Sequence, residues 1–276
     1  MEPKKVVINP PEAAGRKRAI IIGASTGIGR ELAKILARNN YIVGLTARRL
    51  ELLTTLQKEI PTQTYVRWMD VSQTGEPLRR NFGRRNGRPN ESNRSNGPVG
   101  SMRILEELIK QMGGLDLIVI NAGTGFINPD LEWQKEKITI RTNINGFTAL
   151  ATNVYRYFSK QGHGHIVGVS SVAALLASDE APAYNASKAY MSNYLRGLKI
   201  KAKKANLSVV VTDIQPGFVD TAMAVSDRKF WMSSAQEAAE QIYKAIASRK
   251  THAYITKRWR LIGWLLKILP DWMIDR

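Results

Sequence analysis

The 276-residue sequence contains no cysteine. Disulfides and thiolate-bound metals are thereby excluded, and the composition suits a reducing compartment. Histidine is almost as scarce, with three in the chain. His163 and His165 share a Gly-His-Gly-His turn, but no further ligand residues accompany them, so no metal site is expected there. No window reaches the ~20 apolar residues needed to cross a bilayer. Residues 1–17 hold no apolar stretch of the kind that directs secretion. The expectation is a cytoplasmic protein with a short disordered extension over 1–17. Asn90, Asn93 and Asn185 begin Asn-x-Ser sequons, which carry no meaning without a secretory leader.

Acidic residues are also under-represented: 41 Lys and Arg face 23 Asp and Glu, for a net charge of +18. Much of the excess falls in residues 74–101 and 249–276. It bears on solubility and on acidic partners rather than on fold. Between 81 and 101 every residue except Phe82, Glu91 and Val99 is Asn, Gly, Arg, Ser or Pro. Such a stretch cannot bury enough apolar surface to offset its ordering, and 74–101 reads as a mobile insertion. Its arginines could meet phosphates, but with Phe82 as the one aromatic it offers no stacking platform, so nucleic-acid binding is not expected.

The remainder alternates short apolar runs with helical periodicity. Strands are predicted at 18–22, 41–46, 64–69, 115–120, 166–169, 208–214 and 252–256, and helices at 30–39, 50–60, 102–112, across much of 131–158, and at 184–205. Such alternation implies βαβ crossovers and one doubly wound α/β domain over 18–256. Its parallel sheet would have about seven strands, with helices on both faces.

Gly23, Gly27 and Gly29 fall between the first strand and the first helix, in the turn Gly23-Ala-Ser25-Thr26-Gly27-Ile28-Gly29. Glycine there permits a tight turn and close approach of backbone to a pyrophosphate at the helix N-terminus. A dinucleotide with a free ribose 2′-hydroxyl calls for a carboxylate near the end of the second strand. This chain has Thr46-Ala47-Arg48-Arg49 there. Arg48, helped by Ser25, suits a 2′-phosphate, so NADP(H) is favoured over NAD(H). The alternative is that Arg48 and Arg49 are solvated loop charges.

Tyr184 and Lys188 lie four residues apart, on one face of a helix. A nearby ammonium, with the charge of an oxidised nicotinamide, would lower the phenol's pKa and make it a usable acid/base. Ser171, at the end of the fifth strand, is placed to hydrogen-bond a substrate oxygen.

With these motifs the chain resembles the short-chain dehydrogenase/reductase family, in its NADP(H)-preferring bacterial type. The resemblance rests on the glycine turn, Asp70-Val71, Asn121-Ala122-Gly123, Asn143 with Gly146, Ser171, Tyr184 with Lys188, and Pro216-Gly217 with Thr221. It implies hydride transfer between NADP(H) and a carbonyl or secondary alcohol, with Tyr184 as general acid/base and Lys188 also holding the nicotinamide ribose. By the same resemblance Asn143 would complete a catalytic tetrad through a water relay. Asp70 and Val71 would border the adenine, and Asn121, Ala122 and Gly123 would steady the adenosine side. Pro216, Gly217, Val219 and Thr221 would line the nicotinamide. Two positions depart from the family pattern: Ile22 stands where Thr is usual, and Ile120 where Asn is usual. Both put local hydrogen bonding in doubt rather than chemistry. The competing reading is a non-catalytic dinucleotide-binding sensor or scaffold on the same fold.

Residues 218–234 fall where the family places its substrate loop, and Met223, Phe230, Trp231 and Met232 suggest either an apolar site lining or core packing. The segment 257–276 mixes basic residues with Trp259, Trp264 and Trp272. It reads as a helix that docks on the body, the substrate entrance or a second subunit, or that lies at a membrane surface through 257–272. The family commonly forms homodimers or homotetramers through long helices, here 147–159 and 184–205.

Overall fold

The structure is a computed structural model that describes residues 15–75, 100–220, 232–256 and 258–259. Seven parallel strands form one sheet in the order β3-β2-β1-β4-β5-β6-β7. They are β1 (Arg18–Ile22), β2 (Ile42–Ala47), β3 (Thr64–Trp68), β4 (Leu117–Ile120), β5 (His163–Val169), β6 (Ser208–Pro216) and β7 (His252–Ile255). The helices are α1 (Gly27–Arg38), α2 (Leu50–Glu59), α3 (Ser101–Met112), α4 (Trp133–Ile140), α5 (Phe147–Gln161), α6 (Pro182–Lys204) and α7 (Ala235–Ala247).

Side chains alternate across a strand, so each strand serves two cores. Ala19 and Ile21 of β1, with Leu117 and Val119 of β4, face a core shared with α1, α2 and α7. Ile20 and Ile22, with Ile118 and Ile120, face the opposite core, shared with α3, α5 and α6. Ile22 and Ile120, the two departures noted in the sequence, are fully buried there. Apolar packing fills both positions. The apolar face of α1 is Leu32, Ala33, Leu36 and Ala37, which recurs at helical spacing and rests on the sheet.

Helix α7 was not anticipated. Ser234 accepts from the Glu237 amide at 3.1 Å while Glu237 returns a bond to the Ser234 amide at 3.2 Å, a reciprocal N-terminal cap. Its buried face (Ala238, Ala239, Ile242, Ala245 and Ile246) is mostly alanine and packs against α1.

The insertion expected at 74–101 leaves and rejoins the fold at a closed neck. Ser101 donates its amide to Gln73 O at 2.7 Å, and a Cβ on Gly75 would lie 2.6 Å from Gly100 Cα. Residues 76–99 lie outside the described part, as do 1–14 and 260–276. Among the described residues no helix is long and apolar enough to cross a membrane, and no cluster of His, Asp and Glu could hold a metal.

Candidate active site

The strand order reverses between β1 and β4. In open α/β sheets the crevice outside the strand carboxyl ends at such a reversal is where ligands bind. The sequence motifs converge there, because nearly all of them follow a strand directly.

Gly23 has φ +89° and Gly27 φ +58°, conformations that favour glycine. A Cβ on Gly23 would lie 2.7 Å from the Ala122 amide nitrogen, and one on Gly29 2.7 Å from Asn121 Nδ2. Asn121 Nδ2 donates to the Gly23 carbonyl at 2.8 Å, and the Ala122 amide donates to Ile22 O at 2.8 Å. The turns after β1 and β4 are thus stitched together with no room for side chains between them. Ile28 is buried against the first core. Thr26 caps α1 without a side-chain hydrogen bond, and the first helical turn carries no acid. Unclaimed amides and the positive end of the helix dipole fit a dinucleotide pyrophosphate.

The guanidinium that reaches this turn belongs to Arg49. Its Nη2 lies 2.9 Å from Thr26 Oγ1 and 3.3 Å from Ser25 Oγ. Arg48, the residue favoured from sequence, is solvent-exposed, as is Arg49, but no hydrogen bond from it to the turn is seen among the described residues. After β3, Asp70 accepts from the Ser72 amide at 2.9 Å and from Ser72 Oγ at 2.8 Å. Val71 is buried, and its carbonyl abuts Gly146, where a Cβ would not fit.

Asn143 lies in a single wide helical turn, Arg141–Gly146, between α4 and α5. Such turns recur at functional sites. Its buried amide accepts from Thr124 N at 2.9 Å and donates to Thr124 O at 2.7 Å and Ser187 Oγ at 2.9 Å. It therefore ties the loop after β4 to α6. A Cβ on Gly123 would lie 3.3 Å from both Asn143 Oδ1 and Lys188 Nζ, so this glycine leaves the space between them open.

Ser171, two residues past β5 and extended, caps a short helical turn, accepting from Ala173 N at 3.1 Å. Its hydroxyl donates to the Pro216 carbonyl at 3.4 Å and is near enough to the Tyr184 phenol to favour the phenolate. Lys188 Nζ donates to Val169 O at 3.1 Å and stands 5.7 Å from the centroid of the Tyr184 ring. Tyr184 as a residue is partly exposed, but its hydroxyl is deep enough that burial raises its pKa above 10, against the opposing effect of Ser171. Desolvation is the larger cause and the Ser171 hydroxyl opposes it; the lowering expected from sequence drew also on the charge of an oxidised nicotinamide. Burial likewise pulls Lys188 down to about 8, opposed by the Asp213 carboxylate.

Pro216 ends β6 and Gly217 follows it. The Gly217 amide bonds to Ile255 O, and the Trp259 indole lies against Gly217, where any Cβ would collide with it. Trp259 also packs edge-on against Phe218 at 5.6 Å between centroids. Val219 is buried and bridges to Ser233. Thr221 lies outside the described residues, as do Met223, Phe230 and Trp231, whereas Met232 is described and partly exposed. Sequence reasoning missed Arg49 as the turn-contacting arginine, Gly125, whose backbone lies against the Tyr184 ring, and Gly217 as the seat of Trp259, although docking of that segment on the body or the substrate entrance was among its readings. The Arg-Arg pair and the Gly-Thr-Gly run hinted at the first two. Nothing local pointed to the third.

The family model described as short chain dehydrogenase matches residues 17–78 and 100–230 and passes over the same stretch that the neck closes off. An uncharacterized oxidoreductase of Myxococcus xanthus is 29% identical over 265 residues, covering 94% of this chain and 95% of that protein. A glucose 1-dehydrogenase of Gluconobacter oxydans is 26% identical, covering 84% and 77%. Among solved structures, a short chain dehydrogenase/reductase from Burkholderia phymatum in complex with NAD superposes with a TM-score of 0.74 at 19% identity, covering 91% and 92%. An alcohol dehydrogenase from Thermococcus sibiricus complexed with 5-hydroxy-NADP superposes with a TM-score of 0.70 at 20% identity, covering 87% and 96%. The strand order, the stitched glycine turn and the family match lead to one conclusion: this chain belongs to the short-chain dehydrogenase family.

Proposed function

We propose that the protein reduces a carbonyl compound, or oxidises the corresponding secondary alcohol, with NADP(H) as cofactor and Tyr184 as general acid/base. The observation that carries this reading is the gathering of Ser171, the Tyr184 phenol and a buried Lys188 at one point, the Lys188 ammonium 5.7 Å from the Tyr184 ring and bonded to the Val169 carbonyl two residues before Ser171. A nicotinamide dinucleotide held by the glycine turn and Lys188 would supply or accept the hydride. Ser171 orients and polarises the substrate oxygen where charge develops. Tyr184, held protonated at neutral pH by burial, gives that oxygen its proton in the reductive direction. The Lys188 ammonium stabilises the phenolate left behind and holds the ribose. Asn143 supports proton relay by keeping the loop after β4 clear of Lys188.

Arg49 with Ser25 and Thr26 supports NADP(H), since a guanidinium and two hydroxyls on the phosphate-binding turn match a 2′-phosphate. Asp70 and Val71 would flank the adenine. Trp259 and Phe218 beside Gly217 favour an apolar substituent on the substrate. A homodimer or homotetramer through α5 and α6, and peripheral membrane contact through 257–272, complete the reading.

The test is a panel of carbonyls and alcohols assayed with NADPH and NADH in parallel, repeated with Tyr184→Phe. The substituted protein is expected to lose at least about a hundredfold in turnover while still enhancing NADPH fluorescence. Turnover within a few-fold of wild type would reject Tyr184 as the acid/base. Failure of the whole panel despite NADPH binding would favour a non-catalytic sensor.

A further inference from the structure

Behind Ser171 and Lys188 lies a buried carboxylate that the mechanism above does not use. Asp213, on β6, is 7% exposed. Its Oδ1 accepts from Ser170 Oγ at 2.5 Å, and its Oδ2 accepts from Ser192 Oγ at 2.6 Å and from Gln215 Nε2 at 3.0 Å. Gln215 Nε2 also donates to Ser192 Oγ at 3.1 Å, and Ser170 donates its amide to Ile214 O at 2.8 Å.

The partners are placed informatively. Ser170 immediately precedes the catalytic serine after β5. Gln215 immediately precedes Pro216, whose carbonyl is an acceptor for Ser171 Oγ. Ser192 follows Lys188 by one helical turn, on the same face of α6. One side chain on β6 therefore joins the segment that carries Ser171 to the helix that carries Tyr184 and Lys188.

A carboxylate buried on neutral donors is costly unless its charge has a use. A neutral amide or hydroxyl could join the same strands. Among the described residues two titratable groups bear on Lys188: Tyr184 from its own helix, at 5.7 Å from the ring centroid, and Asp213 from β6. β5 presents the Val169 carbonyl to it, and the loop after β4 and the wide turn present Gly123 and Asn143, none of them charged. We propose that Asp213 is a positioning residue that clamps the ends of β5 and β6 around Ser171 and supplies the buried counter-charge that keeps Lys188 an ammonium.

The kinetic part rests on the reductase reading, whereas the charge part does not. The experiment therefore has two readouts. Lysine 13Cε NMR of the full-length protein, with the Lys188 resonance assigned by Lys188→Arg, follows the Lys188 titration without any substrate. In Asp213→Asn, which keeps the shape but removes the charge, the midpoint is expected to fall by about one pH unit. An unmoved midpoint overturns the counter-charge role. Ser170→Ala retains the charge and opens the clamp. It is expected to leave the Lys188 midpoint in place while lowering kcat about tenfold, at unchanged NADPH binding, with a carbonyl from the panel. Wild-type kcat in that protein overturns the clamp. Where Asp213→Asn does not fold, Asp213→Ser takes its place in the Lys188 titration with the same expected fall, and Ser170→Ala decides the clamp.

Discussion

Burial favours the neutral form of each of three interior side chains, with different consequences. Tyr184 is pushed up and stays a proton donor at neutral pH, and Lys188 is pulled down to about 8. Reductive turnover is thereby expected to fade as pH rises through about 8 and Lys188 loses its charge. For stability the sign is opposite. Between about 8 and 10.5 the unfolded chain holds a proton on Lys188 that the folded protein has released, so this residue's contribution rises with pH. His165 is pulled from 6.5 to about 4 by burial and by the Arg249 charge, its Nε2 meeting Thr212 Oγ1 at 2.7 Å. Between those values the unfolded chain binds a proton that the folded protein refuses, so stability falls as pH drops through the window and is intact above 6.5. Urea midpoints at pH 7 and 4.5 should show wild type losing about 2 kcal/mol more than His165→Gln. Equal losses would remove His165 as the acid-sensitive site.

At the scale of elements, the junctions after the strands decide function. The β2–α2 junction presents two arginines, and the path of the chain delivers Arg49 to the turn before α1. A charge-assisted hydrogen bond contributes roughly 1.5–3 kcal/mol. Arg49→Ala should therefore weaken NADPH binding by about tenfold or more, with NADH little affected, whereas Arg48→Ala should change NADPH binding by less than about threefold. Fluorescence titration of both substituted proteins with both cofactors checks this. Equal effects of the two substitutions would return the 2′-phosphate to a diffuse basic surface. The β1–α1 junction is less tolerant. A Cβ on Gly29 would meet the Gly23 carbonyl and Asn121 together, so even alanine there must part the helix from the sheet.

Taken whole, the chain carries +18, and much of that excess sits in residues 74–101 and 249–276. Most of those residues lie outside the described part. Residues 257–272 combine cations with tryptophan and leucine, a composition that suits an anionic lipid surface. Trp259 belongs to the body by its contact with Gly217, so a fair comparison shortens the protein after Arg260. The full chain should float with anionic liposomes at low salt, and the shortened one should stay behind. Flotation of neither, or of both, would remove this segment as a membrane anchor.

Much of the fold and part of the site were legible along the chain, for a shared physical reason. The apolar runs of β1, β4 and β6, the glycine turn and the Tyr184/Lys188 spacing are patterns of period two or four within one element. Their consequences follow from backbone geometry alone. Helix α7 escaped that reading because an alanine-rich face gives little contrast with its surroundings, although Ser234 and Glu237 marked its start. Other features had no local signature. Which arginine meets Ser25, the rise of the Tyr184 pKa, the Trp259 cover on Gly217 and the meeting of Ser170, Ser192 and Gln215 at Asp213 depend on distance and desolvation between remote segments. The sequence by itself determined the elements and the chemical groups at their ends. Tertiary packing decided how deeply those groups are buried and which of them touch, and so which charges the site can hold.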